Sequence, residues 1–154
     1  MKKIILLFLM FSAVVFAKWE VGTEYTTDGE PVTTFTTYDN LSYIKLGVNV
    51  EGVGYSAILI RNYQIKEDDN IVLIITDNEG NDINCSFYEN DIEDDYVNVK
   101  SGRSSVLTKM LYNGKSAKLM KDFETIATFD LRGIKQIMQK HVGSSYWFKY
   151  KLND

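Results

Sequence analysis

Hydrophobic and polar positions alternate along most of this chain. In LSYIKLGVNV, Ile44, Leu46, Val48 and Val50 fall on one side and Tyr43, Lys45 and Asn49 on the other, which is the two-residue period of a half-buried strand. KWEVGTEY, PVTTFTTYD, YSAILIRNYQI, INCSFY and YVNVK read as further strands. TTDGEP, EGVG, EDDN and DNEGND separate them and supply the Gly, Pro, Asp and Asn of turns. IVLIIT is apolar without a break from Ile71 to Ile75, as in a central strand covered on both faces.

The period changes twice. In SSVLTKMLYNG, Val106, Leu107, Met110 and Leu111 stand at helical spacing, which predicts a short helix over about 104–112 stopped by Gly114, with a strand through SAKLM after it. The Asn-Gly pair supports a hairpin as the competing arrangement. After a strand at FETIATF, the segment ATFDLRGIKQIMQKHVG predicts a C-terminal helix over about 130–142. Asp130 is its expected N-cap, Leu131, Ile134, Met138 and His141 follow its 3.6-residue period, and Gly143 is its expected left-handed stop. SSYWFKYKL reads as a closing strand with Tyr146, Phe148, Tyr150 and Leu152 on one side. The fold class that follows is mainly β: a single antiparallel β-sandwich or bent sheet, residues 18–154, sealed on one side by the C-terminal helix.

The first residues depart from this pattern. Lys2 and Lys3 precede an apolar block that begins at Ile4 and ends in Val15-Phe16-Ala17, too short for a bilayer span of about 20 residues. A basic head, a short apolar middle and small residues at the end form a secretory signal, with cleavage expected between Ala17 and Lys18. The mature chain is then periplasmic or secreted, with no transmembrane segment. The only cysteine is Cys85, far from that junction, so it offers no lipid attachment there and no intrachain disulfide.

Charge and chemistry narrow the function. Without Lys2 and Lys3, 15 basic residues stand against 21 acidic ones, a formal charge of −6 that repels phosphate backbones and disfavours nucleic acid as a partner. One histidine and one cysteine cannot build a nitrogen–sulfur metal site, and no glycine-rich phosphate loop is present, so no cofactor is expected. His141, at a helix end without a serine or acid at triad spacing, reads as a capping or core-edge residue, and Cys85 as a small apolar residue on a strand. The acids of DNEGND and ENDIEDD are of the oxygen type that calcium prefers, but they lack the ligand spacing of a known calcium loop. The aromatics near the two ends of the mature chain, Trp19, Tyr146, Trp147 and Tyr150, are the candidate binding surface.

Trp19 in an early strand, and Phe129, Asp130 and Gly133 in a late Phe-Asp-x-x-Gly segment opening a helix, give the chain a layout that resembles two groups of small exported proteins. These are the type VI secretion-associated periplasmic accessory proteins and the invasion-associated locus B proteins. The resemblance implies an exported β-sandwich and assigns no catalytic residue. The paired cysteines of those families are absent here. The function expected is a non-enzymatic exported module that binds another protein or an envelope component. A carboxylate-dependent hydrolase of glycans or peptidoglycan and a structural envelope component are the alternatives.

Overall fold

The computed structural model describes residues 18–99 and 101–152; the expected leader and Ala17 lie outside the described residues. In chain order the elements are β1 (Glu20–Tyr25), β2 (Pro31–Asp39), β3 (Ser42–Asn49), β4 (Tyr55–Arg61), β5 (Ile71–Asp77), β6 (Asp82–Phe87), β7 (Ile92–Glu93) and β8 (Tyr96–Val99). Then come α1 (Ser101–Asn113), β9 (Gly114–Lys121), β10 (Glu124–Asp130), α2 (Ile134–Val142) and α3 (Tyr146–Leu152). Two antiparallel sheets result, one ordered β1-β2-β3-β4-β8-β7 and the other β10-β9-β5-β6. The predominantly β architecture with a C-terminal helix follows the alternation in the sequence.

Register explains how one core forms from both sheets. In the first sheet Phe35 lies across from Leu46, Leu46 from Ile58 and Ile58 from Val99, so a buried rung crosses four strands. The next rung joins Thr37, Ile44, Ile60, Val97 and Ile92. In the second sheet Phe129, Ala117, Ile75 and Ile83 form one rung and Ala127, Leu119, Leu73 and Cys85 the next. Nearly all of these apolar side chains belong to one buried cluster with Trp147, Phe148 and Met138 from the helices.

The helices carry the corrections. The stretch at 104–112 is a helix rather than a hairpin, and α1 extends it to Ser101–Asn113. Its buried stripe is Ser104, Leu107, Thr108, Leu111 and Tyr112, at the i, i+3, i+4, i+7, i+8 spacing of a helix face, and it includes the hydroxyls of Ser104 and Thr108. Those hydroxyls meet β4: Ser104 Oγ donates to the Ser56 carbonyl, and Thr108 Oγ1 lies 3.1 Å from Ser56 Oγ. Val106, expected inside, is exposed.

The second helix is shorter than expected. α2 begins at Ile134 because Gly133, at φ 91°, turns the chain in the left-handed region where a side chain is disfavoured. Asp130 does not cap it. Its carboxylate instead accepts from the backbone amide of Arg132 at 3.0 Å and pairs with the Arg132 guanidinium. Gly143, expected left-handed, is right-handed at φ −64° and donates to the Gln139 carbonyl. Ile134, Met138 and Val142 face the core, as the stripe predicted.

Residues 146–152 form α3 and not a strand. Ser145 Oγ accepts from the Phe148 amide at 3.1 Å, an N-cap bond that commits the segment to helix. Trp147, Phe148 and Leu152 then turn inward, while Tyr146 and Tyr150 remain outside.

Candidate binding surfaces

The four aromatic residues expected to form one surface are split by this helix. Trp19 is 7% exposed and Trp147 1%, and neither indole N–H finds a hydrogen-bond partner among the protein atoms. Both are core residues. Tyr146 and Tyr150 are exposed one turn apart and stack at 5.6 Å with a 9° interplanar angle, and the Lys151 ammonium lies 5.2 Å from the Tyr150 ring. Lys18 is exposed. His141 is exposed as well, its ring edge-on to Phe35 at 6.3 Å and 74°.

The acidic turn DNEGND uses its first carboxylate internally. Asp77 Oδ1 accepts from the amides of Glu79 at 2.9 Å and Asn81 at 2.8 Å, and Oδ2 from the Asn81 side chain at 3.0 Å. These bonds, led by that of the Asn81 side chain, hold its carboxyl below the usual range. Among the described residues no group of three or more His, Cys, Asp or Glu converges as a metal site would require.

A groove of about 450 Å³ lies between β6 and α1, lined by Cys85, Phe87, Val99, Leu107 and Met110 with Arg103 at its mouth. Arg103 clasps the helix to the strand by pairing with Asp91 and donating to the Ser86 carbonyl at 2.7 Å. The Cys85 sulfur rests 3.5 Å from the Met110 sulfur, and burial pushes its thiol pKa up despite the nearby guanidinium. A thiol so placed is a poor nucleophile.

A second surface lies at one end of the molecule, where five connections meet. Asn62, 1% exposed, is its hub. Its side chain donates to Ser42 Oγ at 2.8 Å and to the Ile126 carbonyl at 3.3 Å and accepts from the Gln64 amide at 2.8 Å, while its own amide donates to Asp95 O at 3.0 Å. Lys121 Nζ donates to the Gln64 carbonyl and pairs with Asp69, each at 2.8 Å. The Asp122 amide donates to Asn70 O at 3.2 Å, and the Thr128 amide to Asp39 Oδ2 at 2.7 Å. The turns after β2, β4, β7 and β9 are thereby tied together, and the segment after β6 joins them across an acidic cleft of about 320 Å³ formed with Glu67, Asp68 and Asp69.

Besides Tyr88 on the cleft wall, 68% exposed, three large apolar side chains stand out from the turns at this end. Leu41 at the β2–β3 turn is 81% exposed, Tyr63 beside Asn62 69%, and Phe123 at the β9–β10 turn 91%. Asp122 and Phe123 have φ of 47° and 72°, the pair of left-handed conformations that a two-residue hairpin turn demands and that Asn-Gly or Asp-Gly ordinarily supplies. A bulky Phe in that conformation is an outlier. No motif in the sequence marked these residues; the available signals were the Asp-Phe pair between two strands and an isolated Asn after β4. Compared with known proteins, the chain matches no family model, no curated protein and no solved structure.

Proposed function

We propose that this chain is an exported, non-enzymatic binding module that engages another protein or an envelope component through its loop end. The observation that carries the reading is Phe123, a fully solvent-facing ring held in a left-handed backbone that glycine would adopt at less cost. Stability gives no reason for phenylalanine there, whereas recognition does, since exposed aromatics anchor protein interfaces. Leu41 and Tyr63 project at the same end from turns immobilised through Asn62, so the surface is ordered before a partner arrives. The chain's acidity supports a partner other than nucleic acid. Export rests on the leader-like first 17 residues. No described helix is long and apolar enough to cross a membrane.

Affinity capture from an envelope extract tests this, with the protein and its Phe123→Gly variant run side by side. Recovery of one stoichiometric partner by the first and not by the second is expected. Equal recovery by both refutes the loop end as the surface.

The acidic cleft favours a second reading, a carboxylate-dependent hydrolase, because Glu67, Asp68 and Glu89 lie there beside Phe87 and Tyr88. Asp69 on the same cleft is not available as its acid, because its carboxyl is held below its usual range: partial burial pushes it up, but the bonds from Lys121 and the Lys66 amide outweigh that. A depressed carboxyl is unsuited to general-acid work. Turnover of a glycan panel that disappears on Glu67→Gln or Glu89→Gln would establish the hydrolase instead.

A further inference from the structure

Resting on the binding reading above, we infer that the partner is a protein presenting an apolar pocket ringed by lysine and arginine. The distribution of charge carries this. The loop end gathers eleven carboxylates, in the runs 67–69 and 93–95 together with Asp39, Glu89, Asp91, Asp122 and Glu124, against the four basic groups Arg61, Lys66, Arg103 and Lys121. The described residues from Lys18 onward hold 20 acids and 14 bases, so the remainder of them has 9 acids and 10 bases and is close to neutral. The acidity of the whole chain is therefore concentrated around Leu41, Tyr63 and Phe123. Three of the four bases are already engaged, Arg61 with Asp95 at 2.9 Å, Lys121 with Asp69 and Arg103 with Asp91.

An apolar centre with a charged rim is how protein interfaces divide affinity from steering: the centre supplies binding energy, and the rim sets association rate and excludes partners of like charge. A rim of this sign selects a basic counterpart. It repels a second copy docking through the same face, and it repels an anionic lipid surface, to which exposed apolar knobs alone would otherwise be suited.

The test is selection of a random peptide library, displayed on phage, on the purified protein. Recovered peptides are expected to carry Lys or Arg flanking aliphatic or aromatic residues. Their binding should be lost in Phe123→Gly. It should fall at least about tenfold either in a Glu67→Gln, Asp68→Asn, Asp122→Asn, Glu124→Gln variant or when salt rises from roughly 0.01 to 1 M, where the screening length shrinks from about 30 to 3 Å. Peptides that bind both variants as well as the parent place the site elsewhere; they overturn this inference and leave the broader binding reading standing. Neutral or acidic peptides that depend on Phe123 overturn only the charge of the partner. Co-sedimentation with vesicles of phosphatidylcholine and phosphatidylglycerol, lost in Phe123→Gly, would replace the protein partner by a membrane. Absence of any peptide above background, with no vesicle binding, overturns the inference of a basic protein partner and leaves the broader reading to the envelope capture.

Discussion

Replacing Phe123 by glycine separates folding from function more cleanly than any other change in this chain. Phe123 sits at φ 72°, and a left-handed L-residue costs about 1–2 kcal/mol. Its ring is 91% exposed, so removing it sacrifices almost no buried area. Glycine's greater freedom in the unfolded chain takes back roughly 0.5–1 kcal/mol. The net expectation is a gain of about 0.5–1 kcal/mol, or a Tm higher by about 2–4 °C per kcal/mol for a domain of this size. Phe123→Ala is the control: it keeps the backbone cost, loses the ring, and should stay within about 0.5 kcal/mol of the parent. Urea denaturation followed by far-ultraviolet circular dichroism reads all three proteins. A loss of about 1 kcal/mol or more in Phe123→Gly would refute the reasoning, because it would mean that the ring packs in the folded state and needs no partner to account for it.

Three further outcomes follow from particular contacts. A Cβ at Gly54, where φ is +71°, would lie 2.6 Å from Trp147 Cβ and 2.9 Å from the Asn49 carbonyl, so Gly54→Ala should cost about 3 kcal/mol. Gly52→Ala, left-handed but in open space, should cost only about 1–2 kcal/mol, and urea midpoints distinguish the two. Asn62→Ala strips buried partners from Ser42, Gln64 and Ile126 and should lose about 2–3 kcal/mol, with faster amide exchange across residues 62–70 as the readout. The Asp130 carboxyl is held below its usual value, chiefly by the Arg132 side chain. Its contribution is therefore present above the unfolded value of about 4 and is lost as pH falls through the lower folded value. Asp130→Asn should flatten that part of the acid limb in a series of thermal melts, and an unchanged limb would show that the pair is not formed.

What could be read from the sequence was the part that obeys one period at a time. Ile44, Leu46 and Val48, and Val97 and Val99, face inward as alternation requires, whereas in the run 71–75, expected to be covered on both faces, Ile71, Leu73 and Ile75 are buried and Val72 and Ile74 only half-buried. Ile134 and Met138 anchor α2 as their spacing requires. The failures come where two periods coincide or polar groups take core positions. Tyr146, Phe148, Tyr150 and Leu152 alternate like a strand, yet Trp147 lies between them and Ser145 precedes them, and the N-cap bond from the Phe148 amide decides for helix. In α1 the stripe was obscured because Ser104 and Thr108, bonded to Ser56, occupy two of its five positions. The loop end was illegible for a different reason: Asn62 unites turns distant in sequence, and Asp122-Phe123 breaks the usual chemistry of a hairpin turn. Trp19 and Trp147, prominent by type, are core residues, whereas Leu41, Tyr63 and Phe123, unremarkable by type, are among those left outside.

Amide hydrogen exchange on the protein with and without its captured partner or a selected peptide bears most directly on the loop end as the binding surface. Slower exchange confined to residues 39–42, 62–70 and 121–124 is the predicted result. Protection appearing instead along 83–87 and 103–110, where β6 and α1 line the apolar groove, or no protection anywhere, would contradict it.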